Sequence, residues 1–158
     1  MTTTKEKIVE FLNQHQLMSL ATVGQHPWIA NVYFGFDLNL NFYFVSPLDS
    51  LHCQPIKANS QVACGIYDSN QTPIKQKTFT KLGVQFWGES HLLTQDNDIQ
   101  TGLNIWKKHL GIQSNKTITL EAIKTNQIES EIFIIKPKLI QLFIQEPEQD
   151  EVLLHLQL

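Results

Sequence analysis

Three stretches near the N-terminus constrain the fold most. LMSLATV (17–23), WIANVYFGFD (28–37) and LNFYFVS (40–46) read as strands, and the second alternates and is rich in aromatic and β-branched residues. Gly24-Gln25-His26-Pro27 and Asp37-Leu38-Asn39 join them. Connections this short leave no room for a crossover helix, so the three strands must pair antiparallel as a meander.

The remaining patterns extend that meander. Thr3 or Thr4, followed by Glu6 or Lys7, opens a helix whose apolar stripe is Ile8, Phe11 and Leu12, running to about Gln14. Residues 49–58 are expected to form a short helix capped by Asp49 or Ser50. SQVACGIYD (60–68) reads as a fourth strand and 69–80, which carries Pro73, as a loop or distorted hairpin. KLGVQFWGESHLLT (81–94) reads as a long fifth strand with bends or bulges at Gly83 and Gly88. A helix starts at Asp96 or Asp98, buries Ile99, Leu103, Trp106 and Leu110, and stops at Gly111. A second short helix is expected over 117–125. Strands at 131–137, 138–145 and 151–157 close the chain, with Pro137 predicting a bend or bulge between the first two. The pattern as a whole predicts a mainly β fold, an antiparallel barrel with helical decoration, as one domain over 1–158.

Composition narrows the function. The net charge is −3, and all 12 basic residues are lysines. Without arginine the chain lacks the planar fork that reads guanines and grips phosphates bidentately, which argues against nucleic acid as a partner. Cys53 and Cys64 show no CxxC spacing and fit a reducing compartment. The N-terminus has no apolar run of signal-peptide type, and no apolar segment is long enough to span a membrane, so a cytoplasmic location is expected.

One stretch, FYFVSPLDSLHCQPI (42–56), sets His52 beside Cys53. Neighbouring residues diverge in direction on a strand and on a helix alike, so the pair is a poor candidate for a nucleophile and its base. The six histidines, at 15, 26, 52, 91, 109 and 155, show no metal-ligand spacing. Glycine-rich phosphate loops and nucleophile elbows are absent from the sequence. What remains is a strand, turn and helix start offering the hydroxyls of Ser46 and Ser50, free backbone N–H groups and His52 to an anion. The plain alternative is a helix cap with Cys53 as a small core residue.

The ordered set SLATVGQHPWIANVYFGFD, FYFVSPLDSLHCQPIKANSQVA and KLGVQFWGES resembles the pyridoxamine 5′-phosphate oxidase-like superfamily, the FMN-binding split barrels, over roughly residues 5–94. The resemblance implies a homodimer with FMN in a cleft at its interface. It implies a phosphate held by Ser46, Ser50 and His52, and a flavin ring lying along Asn31, Val32 and Gln85, with Trp28, Tyr33 and Trp87 as pocket walls. Leu51 and His52 stand where the family carries Arg and Lys. The arginines that hold the phosphate of a vitamin B6 substrate have no counterpart, and the chain closes on EVLLHLQL, so oxidation of that substrate is not expected. The resemblance implies a flavin-dependent oxidoreductase acting with a small-molecule substrate or reductant. The alternatives are a non-catalytic split barrel, an empty cleft, or a haem site with His52, His91, His109 or His155 as axial ligand.

Overall fold

The computed structural model describes residues 1–68, 80–112 and 116–158. The loop or hairpin expected over 69–80 therefore falls, except for Thr80, outside the described residues.

Helix α1 (Thr4–Asn13) opens with a reciprocal cap between Thr3 and Glu6 and buries Ile8, Phe11 and Leu12. The meander follows as expected in β1 (Leu17–Val23), β2 (Pro27–Phe36) and β3 (Phe42–Pro47). Asp37 organises the β2–β3 turn. Its carboxylate accepts the backbone N–H groups of Asn39 and Asn41 at 2.9 Å each.

The sheet continues through β4 (Gln61–Tyr67), β5 (Lys81–Leu92), β6 (Ser130–Gln145) and β7 (Val152–Gln157). Its order is β3-β2-β1-β4-β5-β6-β7, every neighbouring pair is antiparallel, and a further β3–β6 pairing closes it on itself. Strand β6 makes the split. On one side it pairs with β5 along its length; on the other, Ser130–Ile135 pair with β3 and Leu139–Ile144 pair with β7.

The bend expected at Pro137 is a bulge inside one continuous strand. Register slips where Trp87 faces Leu139 and Gly88 faces Pro137, leaving Lys138 as the extra residue. Gly88 is required there, because a Cβ would lie 2.3 Å from the Lys136 carbonyl oxygen.

Residues 49–58 depart from expectation. They form turns and a 3₁₀ segment (Gln54–Lys57) rather than an α-helix. Pro55 has no N–H to give to the carbonyl four residues back, so a helix begun at Asp49 cannot run through it.

Helix α2 (Asp96–Leu110) buries Ile99, Leu103 and Trp106 and ends at Gly111, whose φ of 70° is left-handed. It lies against β2. The Trp106 indole donates to the Tyr33 carbonyl at 3.0 Å, and at Gly35 a Cβ would come within 2.6 Å of the Trp106 Cα. Helix α3 (Leu120–Lys124) is shorter than the expected 117–125 and is capped by Thr119. Strand alternation feeds two cores. Phe34, Phe42 and Phe44 fill the barrel, while Tyr43 and Ile132 pack under α2 with Leu103 and Trp106.

Candidate functional site

The residues expected at a phosphate do come together. Ser46, buried at the end of β3, lies with its Oγ 2.7 Å from His52 Nε2. Ser50 Oγ donates to the Pro47 carbonyl at 2.7 Å and lies 3.4 Å from the same imidazole nitrogen. Burial pushes the His52 pKa below its ordinary value, which favours the neutral ring at neutral pH. Cys53 is buried, as the packing reading expects. Burial pushes its thiol pKa up, against opposing hydrogen bonds from Ser50 and Ser46. Glu131 is Ser46's partner across the β3–β6 ladder, and burial pushes its carboxyl pKa up.

The helix start that was expected to offer backbone N–H groups is not there. The Ser50 N–H is bonded to the Pro47 carbonyl, and those of Cys53 and Gln54 to the Ser50 carbonyl. An anion at this cluster would meet two hydroxyls and one titratable imidazole.

The ring candidates lie elsewhere, on the outer face of the sheet. Strand register aligns Asn31, Ser19, Gly65, Gln85, Gln141 and His155 in one cross-strand row from β2 to β7. Ser19 donates to Asn31 Oδ1 at 2.8 Å, and Gln141 donates to Gln85 Oε1 at 2.9 Å. Between these two polar segments sits Gly65, where an added Cβ would meet nothing within 4 Å. Packing therefore does not call for a glycine here; its effect is to leave a slot in the row.

Four members of the row, Ser19, Asn31, Gly65 and Gln85, line a groove of about 550 Å³ together with Tyr33 and Tyr67. A second depression of about 440 Å³ adjoins it, with Ile29, Ala63, Trp87 and Leu139 giving it an apolar lining. A polar line is thus set between apolar and aromatic walls.

Asn31 and Gln85, expected along the ring, meet in this groove. Val32 turns its side chain into the barrel core, so only its main chain could face a ligand. Tyr33 and Trp87 border the two depressions. Sequence reading missed Ser19, Gly65 and Gln141, and named His155 only as a haem ligand, not as a member of this row. The available signal was an interior strand glycine with Ala63 and Tyr67 two residues away on the same face, but its cross-strand neighbours are set by register, not by spacing along the chain.

The haem candidates are differently employed. His109 Nε2 meets the His15 carbonyl at 2.7 Å, His155 Nε2 meets Gln141 Oε1 at 2.9 Å, and His91 sits 3.8 Å from Glu89. Among the described residues no group of three or more His, Cys, Asp or Glu is arranged to hold a metal.

This seven-stranded antiparallel sheet, in which β6 pairs with β3 and β7 in turn and helices pack on the outside, has the architecture of a split barrel. The family profile described as pyridoxamine 5′-phosphate oxidase matches residues 4–142. The chain belongs to that family. Solved structures agree on the fold. A Listeria innocua protein assigned as a pyridoxamine 5′-phosphate oxidase superposes with a TM-score of 0.64 at 18% identity, over 89% of this chain and 98% of that one. An FAD-binding protein from Mesorhizobium loti gives 0.63 at 14% identity, over 89% and 94%. A haem-binding protein from Mycobacterium smegmatis gives 0.68 at 10% identity, over 96% of this chain and 57% of that one. No curated protein matches the sequence.

Proposed function

We propose that the protein binds FMN in a cleft shared by two copies of the chain and uses it in redox exchange with a small-molecule substrate or reductant. The observation that carries this reading is the polar row across the outer sheet, interrupted at Gly65 and walled by Tyr33, Tyr67 and Trp87. A flavin ring is flat, apolar on its faces and polar at its edges, and the row matches that distribution. Bound flavin would supply hydride or electron transfer; the protein binds it, orients it and sets the hydrogen bonds at its ring edge.

The phosphate end would take Ser46, Ser50 and His52. None of these three lines the groove; in this reading a second copy brings its cluster to the first copy's groove, and the two together hold the ligand. The cluster offers no permanent cation of its own. A charge-assisted hydrogen bond contributes roughly 1.5–3 kcal/mol, so the loss of two weakens binding by about 10²–10⁴-fold relative to a site with Arg and Lys. The haem reading is less well supported, since His52, His109 and His155 each have a partner within the chain.

Titration with FMN, followed by quenching of flavin fluorescence, tests the proposal. Saturable uptake is expected. Gly65→Leu fills the slot, so uptake should be lost while circular dichroism and melting stay native-like. No saturation at micromolar concentrations, or a protein that takes up haem and shows a Soret band instead, would overturn the flavin reading.

A further inference from the structure

We propose that His155 is a positioning residue that acts through Gln141 to set which end of the Gln85 amide faces the groove. The inference rests on the flavin reading for its ligand but on the free protein for its geometry. His155 lies on β7, and the family match ends at residue 142, so this part of the site comes from outside the matched segment.

Register places Gln85, Gln141 and His155 side by side on three consecutive strands, all on the outer face. Directly opposed side chains on one face are within reach of each other. Here they are bonded in series: His155 Nε2 to Gln141 Oε1 at 2.9 Å, then Gln141 Nε2 to Gln85 Oε1 at 2.9 Å. An amide has one accepting end and one donating end. With hydrogen on Nε2, the imidazole donates to Gln141 Oε1. Gln141 must then donate from its nitrogen, and Gln85 must accept with its oxygen. The end of the series is the Gln85 amide nitrogen, whose two hydrogens are left for the groove beside the Gly65 slot.

Without a donor at 155, Gln141 is free to turn. Gln85 can then present either an oxygen or an N–H to a ligand. The series thus makes the groove a hydrogen-bond donor at this point. That suits a ring edge carrying carbonyl oxygens or an unprotonated ring nitrogen, and disfavours one that carries only N–H.

The first test uses ¹⁵N NMR of the ligand-free protein. The Gln85 side-chain amide pair is identified by its loss in Gln85→Leu. His155→Ala should shift or broaden that pair, and His155→Gln, which restores an N–H donor, should return it. FMN titration supplies the second test. His155→Ala should weaken uptake about three- to tenfold, roughly one neutral hydrogen bond, and shift the visible bands of bound flavin. His155→Gln should rescue both, and in a Gln85→Leu background His155→Ala should add nothing. An unmoved Gln85 amide pair, or additive losses in the double variant, would overturn the relay. If the wild-type protein takes up no FMN, the flavin reading fails, and the amide signals alone decide whether His155 holds Gln85.

Discussion

His52 shows how burial changes a residue's use. Its pKa is pushed below the ordinary 6.5 by desolvation. His109 shifts in the same direction for the same leading cause, partly offset by its bond to the His15 carbonyl. Both fold as neutral rings, so the unfolded chain binds more protons than the folded one at mildly acid pH. Their contribution to stability is complete above the unfolded value, near 6.5, and is lost as pH falls from there toward their folded values. An anion at Ser46 and Ser50 acts the other way, because it favours the imidazolium. FMN affinity should therefore gain a component that rises as pH is lowered through the bound-state pKa of His52. His52→Lys keeps a charge throughout and should remove that component; binding isotherms compared between the two proteins isolate it from titration of the phosphate itself. Identical pH profiles for both would take His52 out of the site. His52 and Cys53 are adjacent in the sequence, yet their common feature is that both turn toward Ser46 and Ser50.

Among the elements, strands were the most legible. The boundaries of β1 are those expected for 17–23, and β2, where alternation and β-branched residues are clearest, starts within a residue of its expected 28–37. In segment 49–58 a cap-like Asp-Ser pair suggests a helix start, whereas Pro55 decides how far a helix can run. Pro137 and Gly88 were each visible as irregular positions, but their facing one another across a bulge was not. Close approach gives a direct test at this scale. Gly35→Ala places a Cβ against the Trp106 backbone and should cost about 1–3 kcal/mol, the usual penalty for overpacking. A melting temperature lowered by several degrees is the expected result, at roughly 2–4 °C per kcal/mol for a chain of this size. Gly65→Ala, with nothing near its Cβ, should leave the melting temperature close to native.

At the scale of the whole molecule, the face that carries the polar row also leaves large apolar side chains exposed. Ile29 is 66% exposed, Tyr33 59%, Tyr67 52% and Trp87 46%. A patch with several large apolar side chains marks an interaction surface more often than bare solvent contact. We expect a homodimer through this face, and light scattering should give twice the 18.2 kDa chain mass. Trp87→Lys should shift the population toward monomer and weaken FMN uptake with it, because the shared cleft is lost. A wild-type monomer would count against that cleft. Among the described residues no helix is long and apolar enough to cross a membrane.

The sequence alone determined which residues form strands, which faces those strands bury, and the split-barrel resemblance, because period and turn chemistry are local properties. It also located Ser46, Ser50 and His52, which lie within seven consecutive residues. Only the tertiary structure decided that Asn31, Ser19, Gly65, Gln85, Gln141 and His155 share one line across six strands. That line depends on register, and register is set by loop lengths, by the bulge at Lys138 and by the closure of β3 onto β6. A slip of one residue at any of these would turn the side chains of the affected strand from the groove to the core.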